Sequence, residues 1–205
     1  MPVTIRALRQ LSPERLSIEL DSGEEIKATL SLAAELRLFA GKELEEQELN
    51  ALRSSAALSL CKNRAVELLS YRPMSAKELR DKLVQKGESP DAAASAVEWL
   101  VEKRLLDDGR YAGQVVRHYA GKGYGPGRVR QELQRRGVPR EYWEEALEEL
   151  PDSEDKLDAY LASKLKDPGD RAQVQKVSAA LIRRGFSWEE IRTALARYKA
   201  ELSED

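Results

Sequence analysis

The 205-residue sequence predicts a mainly α-helical protein. It reads as three tandem three-helix repeats in an elongated curved array, behind a small N-terminal antiparallel β extension. Three observations carry this expectation. Apolar and polar residues alternate only in the first thirty positions, whereas apolar residues from Glu45 onward recur at helical spacing. Helix start and stop signals punctuate the second region regularly. Finally, Gly87, Gly137 and Gly185 stand 50 and 48 residues apart with matching flanks.

The β extension rests on Leu16, Ile18 and Leu20 alternating with Ser17 and Glu19, and on Ile26, Ala28 and Leu30 after the turn Asp21-Ser22-Gly23. With Val3 and Ile5 these segments suggest a three-stranded meander. So small a sheet is marginal alone in water, so it is expected to pack on a helix running from Leu32 to Phe39 and ended by Gly41.

The repeats are registered by their glycines. Each follows a basic residue, Lys86, Arg136 or Arg184, as a left-handed C-terminal cap would. Four positions earlier stands Leu83, Leu133 or Leu181, and eight earlier Leu79, Val129 or Val177. Nine positions later comes Ala96, Ala146 or Ala194, small enough for two helices to approach closely. Ser75-Ala76-Lys77-Glu78 and Ser187-Trp188-Glu189-Glu190 are capping boxes, and Pro90 after Ser89 opens a helix. Pro73, Pro126, Pro139, Pro151 and Pro168 lie between helical runs. The expected helices are 56–71, 75–86 and 90–104; 108–121, 126–136 and 140–150; and 153–166, 171–184 and 188–202. The expected divisions are an extension at 1–55 and repeats at 56–106, 107–151 and 152–205.

Composition narrows the class. Charged residues make up 34% and net charge is −2, with Leu, Val and Ile regularly spaced throughout, which argues against disorder. The single cysteine, Cys61, allows no internal disulfide. No apolar run has the length of a signal peptide or a membrane span, so a cytoplasmic protein is expected.

The sharpest local feature is a basic run. From Arg117 to Arg140 the chain carries Arg117, Lys122, Arg128, Arg130, Arg135, Arg136 and Arg140 against Glu132 alone, a net +6 over 24 residues. The remainder is mildly acidic, so the run points to an anionic partner, either phosphate or an acidic protein surface. On the helix from Pro126, Val129 and Leu133 should face the core while Arg128 and Arg135, seven apart, carry salt-sensitive binding, with Arg136 beside them. Tyr119 and Tyr124 flank the run and could stack on a base.

Other candidates have structural readings. Gly121-Lys122-Gly123-Tyr124-Gly125-Pro126-Gly127 lacks a P-loop ending and a preceding strand, so it reads as a turn between helices and a flexible corner between repeats. Asp107-Asp108 fits a helix cap better than a metal site. Cys61 sits in an apolar helical run as a buried thiol, and His118 reads as a surface residue. Trp143 shares an inward register with Ala93 and Ile191, while Trp188 opens its helix in a more exposed place. No acid–base or nucleophile constellation is visible, so no catalytic residue, cofactor or metal is expected.

Several of these stretches resemble the RecX family, regulators of RecA recombinase. The first is Ser75-Ala76-Lys77-Glu78-Leu79-Arg80-Asp81-Lys82-Leu83, closing on Lys86-Gly87. Others are Leu106-Asp107-Asp108-Gly109-Arg110-Tyr111-Ala112, Gly125-Pro126-Gly127-Arg128-Val129, Glu132-Leu133 and Arg136-Gly137. The match is specific over about 62–150 and looser in the third repeat. Tyr111 stands where the family usually has Phe, and Arg104-Leu105 where Gly-Tyr is common. The resemblance implies a monomer that binds the RecA–single-stranded DNA filament in its groove and restrains filament growth, ATP hydrolysis and strand exchange. That would place it in homologous recombination, DNA repair and the SOS response. The alternative is a direct nucleic-acid-binding module, since three-helix units with a basic middle helix also resemble helix-turn-helix domains.

Overall fold

Residues 2–204 are described in a computed structural model. The chain is mainly helical, with four strands, ten α-helices and a short 3₁₀ turn among the described residues. It divides into two compact units, Met1–Leu106 and Asp107–Asp205.

In the first unit, strands β1 (Val3–Ser12), β2 (Arg15–Leu20) and β3 (Glu25–Thr29) form the expected antiparallel meander. Alternation places Leu16, Ile18 and Leu20 on its buried face with Ile5, Ile26 and Ala28. Gly23 takes φ +85° in the turn, and its N–H donates to the Leu20 carbonyl. A fourth strand that the alternation does not reveal, β4 (Glu43–Leu44), pairs with Val3 and Thr4 and covers the β1 edge.

Helix α1 is shorter than expected. It runs Leu30–Glu35, capped by the Thr29 hydroxyl, and Arg37 at φ 47° turns the chain away, leaving Phe39 exposed. Gly41 therefore does not end this helix. Its N–H donates to the Ile5 carbonyl, where it shapes the approach to β4.

Helix α2 (Glu46–Tyr71) begins ten residues before the expected start at 56. The start signal is a glutamate box: the Glu45 N–H donates to Glu48 while Glu45 serves as N-cap. Its 26 residues serve two cores. Leu49, Leu52 and Ala56 close the sheet, whereas Cys61 and Ala65 pack with α3 (Ala76–Gln85) and α4 (Pro90–Glu102). The Ser75 and Ser89 hydroxyls accept from the N–H groups of Glu78 and Ala92, as their spacing predicts.

The second unit holds two further triplets. One comprises α5 (Asp108–Gly121), α6 (Pro126–Arg135) and a third segment in which a 3₁₀ turn, Arg140–Tyr142, leads into α7 (Trp143–Glu148). The other comprises α8 (Ser153–Lys164), α9 (Arg171–Arg183) and α10 (Trp188–Glu204). The repeat register holds in the packing: Leu83, Leu133 and Leu181 are fully buried, as are Ala96 and Ala194, with Ala146 nearly so. Gly87, Gly137 and Gly185 all take positive φ.

The glycine-rich segment before α6 is a fixed junction rather than a flexible corner. The Gly125 N–H donates to the Arg184 carbonyl at 2.8 Å and the Gly127 N–H to the Gly185 carbonyl at 2.9 Å. A Cβ on Gly185 would lie 2.1 Å from the Arg128 nitrogen, so no side chain fits, and its φ of +92° also favours glycine. Arg184 reinforces the contact, standing over the Tyr160 ring at 4.8 Å and donating to the Gly123 carbonyl. The Lys156 ammonium closes the same boundary by donating to the Ala120 carbonyl at 2.8 Å.

Arg104, at the end of α4, adopts φ 56°, the left-handed conformation that costs an ordinary residue about 1–2 kcal/mol. Replacing it should relieve that strain, offset in part by the unfolded-state entropy of glycine. Arg104→Gly should therefore stabilise by about 0.5–1 kcal/mol. Thermal melts should show a Tm about 1–4 °C higher; an unchanged or lower Tm would contradict the strain.

Candidate functional site

The basic run is distributed over the second repeat by α5, α6 and the turn that follows. Val129 and Leu133 are fully buried and anchor α6 in the core. The remaining faces carry the arginines, but these are not simply displayed to solvent. Glu132 is only 3% exposed and gathers three of them. Arg128 donates to it at 2.9 Å, Arg135 at 2.8 Å through one nitrogen and 2.9 Å through another, and Arg136 approaches at 3.8 Å. The spacings i−4, i+3 and i+4 bring these side chains together on one helix. Burial opposes ionisation of Glu132, but the Arg135 and Tyr119 hydrogen bonds and the charges of Arg135 and Arg128 outweigh it, holding its pKa below the ordinary value. The cluster retains a net positive charge because three guanidiniums share one carboxylate.

This arrangement revises how Arg128 and Arg135 can be tested. Each anchors a buried carboxylate, so reversing both to Glu would place three acids together and disturb α6 as well as any binding. Arg136 also donates to the Tyr111 hydroxyl at 2.8 Å, which ties α6 to α5. Arg117 pairs with Glu149, Lys122 stands over the Tyr119 ring at 5.9 Å, and Arg140 over Trp143 at 5.8 Å. Arg130 is exposed and contributes to the lowered pKa of Glu190. Tyr119 and Tyr124 are half-buried and pack on each other at 5.6 Å, so their rings support the face from below.

The motif residues fall mainly into structural positions. Leu79, Leu83 and Leu133 fill cores; Lys77 pairs with Asp81 and Glu78 with Arg72. Gly87 and Gly137 cap helices, and Pro126 opens α6 beside Gly125 at the junction. Asp107 accepts from the Arg110 N–H at 2.8 Å and so caps α5, with Asp108 in its first turn. Arg110 itself is exposed, and Tyr111 is buried. Cys61 is fully buried and its thiol pKa is pushed up to about 11, first by that burial. His118 is exposed, while Trp143 is half-buried with its indole donating to the Val138 carbonyl at 3.0 Å. Among the described residues no group of three or more His, Cys, Asp or Glu could hold a metal ion, and no helix is long and apolar enough to cross a membrane.

Sequence reasoning counted Glu132 only as the lone acid in a basic run, although its spacing to Arg128, Arg135 and Arg136 signals the clasp. It placed Arg184 only at a helix end and missed Lys156, because the carbonyls they donate to lie 61 and 36 residues away.

Fold and face together define a helical-repeat protein whose middle repeat presents cations organised around a buried carboxylate. Comparison with known proteins makes this specific. The family model for the second three-helix domain of RecX matches residues 107–147, that for the first 61–100 and that for the third 156–195. A regulatory protein RecX of Vibrio vulnificus is 39% identical over 148 residues, 70% of this chain and 96% of the relative. That of Bacillus subtilis is 27% identical across 99% of this chain and 79% of the relative. A crystal structure of regulatory protein RecX superposes with a TM-score of 0.73 over 94% of this chain and 98% of the other, at 24% identity. The chain belongs to the RecX family.

Because the folded-state pKa of Glu132 lies below its unfolded value, its contribution is full above the ordinary carboxylate range and lost as pH falls through the lowered value. Glu132→Gln should cost about 1–2 kcal/mol at neutral pH, and the gap to the parent should narrow on acidification to about pH 3. Melting curves at the two pH values check this; a variant as stable as the parent at pH 7 would remove Glu132 from its organising role.

Proposed function

We propose that this chain is a negative modulator of RecA recombinase. It binds the groove of the RecA–single-stranded DNA filament and restrains filament growth, ATP hydrolysis and strand exchange in the cytoplasm. Membership of a family whose relatives are named regulatory proteins supports a regulatory role. The observation that carries the mode of action is the cationic face of the second repeat, where Arg128, Arg135 and Arg136 share the single carboxylate of Glu132.

The physical reasoning is electrostatic. A DNA-filled filament is a dense anion, and cations held on a rigid helix meet it with less loss of side-chain entropy than cations on a mobile loop. Arg117, Lys122, Arg130 and Arg140 extend the face; among the described residues Arg130 and Arg140 form no direct ion pair, and their interactions with Glu190 and the Trp143 ring are peripheral to the Glu132 cluster. Three tandem repeats offer several weak contacts to successive protomers. Linked contacts of this kind raise avidity without any one tight site.

The test is recombinase ATPase on single-stranded DNA, titrated with the full chain at two salt concentrations. Inhibition should weaken at the higher salt. The double variant Arg130→Ala, Arg140→Ala should inhibit less while its melting temperature falls by no more than a few degrees, and where a phosphate contact is lost the salt slope should flatten by roughly 0.7–0.9 for each. An unaffected ATPase combined with tight, sequence-selective binding to duplex DNA would support the helix-turn-helix alternative instead.

A further inference from the structure

The β extension carries a strand edge that the chain pairs only in part. Along one edge β1 pairs with β2 from Ile5 to Ser12. Along the other, β4 pairs with Val3 and Thr4, and the Gly41 N–H and Lys42 carbonyl bond Ile5. Beyond Ile5 that second edge has no backbone partner among the described residues. The ladder shows which groups face it. The Leu20 N–H donates to the Glu24 carbonyl, on the β3 side, so alternation turns Ile18 and Leu16 toward β3 as well. Residues directly opposite in an antiparallel pair either bond each other or both turn away. Leu8 and Gln10 stand opposite Ile18 and Leu16, so their N–H and C=O groups point to the open edge.

Proteins commonly blunt such an edge with proline or cover it. Here residues 6–12 contain no proline and no carboxylate. Large apolar side chains mark both ends of the open stretch. Leu11 is 55% exposed at the far end of β1. Phe39 is 58% exposed, and its carbonyl accepts from the Lys42 N–H in the turn where pairing with β1 stops. Arg9 is engaged by Glu19, whereas Arg6 is exposed and forms no ion pair among the described residues.

We infer that the open edge of β1 takes up an extended acidic segment of a partner protein as an added strand. The segment exchanges main-chain hydrogen bonds with Leu8 and Gln10, and a carboxylate on it meets Arg6. Main-chain bonds supply the affinity of such an addition, and alternate side chains supply its specificity. The charge on β1 decides between a foreign strand and a second copy of this chain. A second β1 would bring its own Arg6 and Arg9 to the same short ladder, where like charges across the strands destabilise pairing. A nucleic-acid strand could accept from the two N–H groups and meet Arg6. It carries no row of donors spaced to match the Leu8 and Gln10 carbonyls. The inference goes beyond the proposed function and is independent of the α6 face.

The experiment titrates the full chain with a synthetic peptide of about nine residues in which Val and Thr alternate with Glu. Calorimetry and amide hydrogen exchange are the readouts. In the free chain the Leu8 and Gln10 amides should exchange rapidly, and saturation with peptide should slow both. Methylating one alternate set of peptide amides should abolish binding, and methylating the other set should not. Arg6→Glu should weaken binding about fivefold and keep the parent melting temperature, since that side chain is exposed. Gln10→Pro removes an edge donor while sparing the ladder with β2, and should weaken binding at least about tenfold. The inference is overturned by no saturable binding, or by equal binding of a peptide with Lys in place of Glu. Binding that leaves the Leu8 and Gln10 amides unprotected, or that is undiminished in Arg6→Glu, overturns it as well. So does displacement of the peptide by a single-stranded oligonucleotide of equal charge, or a dimer in sedimentation that protects those two amides without peptide.

Discussion

The second unit depends on one close approach of backbone to backbone. Where the chain turns into α6, two amides meet the carbonyls at the end of α9, and the glycines there leave no room for a side chain on either partner. Hydrogen bonds between main chains are short and directional, so they fix where α6 begins relative to the third repeat. The direction of every arginine on α6 follows from that start. A side-chain interface would tolerate rotamer changes; this one has none to make.

Around that constraint the rest of the unit is organised economically. One side of α6 is buried through Val129 and Leu133, and the other is gathered on Glu132. A guanidinium that keeps solvent on one side while bonding a buried carboxylate on the other loses little hydration, which avoids the usual penalty for burying a charge pair. The result is a positive surface with limited conformational freedom. In the first unit, α2 plays the comparable role by closing the sheet with its first half and the repeat-one core with its second. The extension and the first repeat are therefore joined through continuous helix, not through a linker.

Much of this was legible in the residues. The alternation at Leu16 to Leu20, the serine caps at Ser75, Ser89 and Ser187, and the three cap glycines all report local physics, and local physics is what single residues encode. Helix boundaries were accurate where a cap marked them and poor where none was recognised, as at Glu45, whose glutamate box is a less common start. The two-residue β4 carries no pattern of its own, because its pairing depends on where β1 happens to lie. The candidate site shows the same division. A dense basic run was visible; of its residues Arg128, Arg135 and Arg136 gather on Glu132, whereas Arg117, Lys122 and Arg140 lie on other elements. What the spacing did not announce was that Glu132 would be buried, or that Gly125 and Gly127 served packing across a boundary rather than freedom of movement. Both depend on elements distant in sequence.

The most direct test of this account is amide hydrogen exchange on the intact chain, resolved at Gly125 and Gly127. These amides sit in a segment whose composition suggests a loose turn. If the junction is rigid, they should exchange as slowly as amides in the middle of α6, such as that of Leu133, since both must open the packed unit. Exchange at the rate of a solvated loop would show that the repeats move independently there, and the fixed orientation of the basic face would go with it.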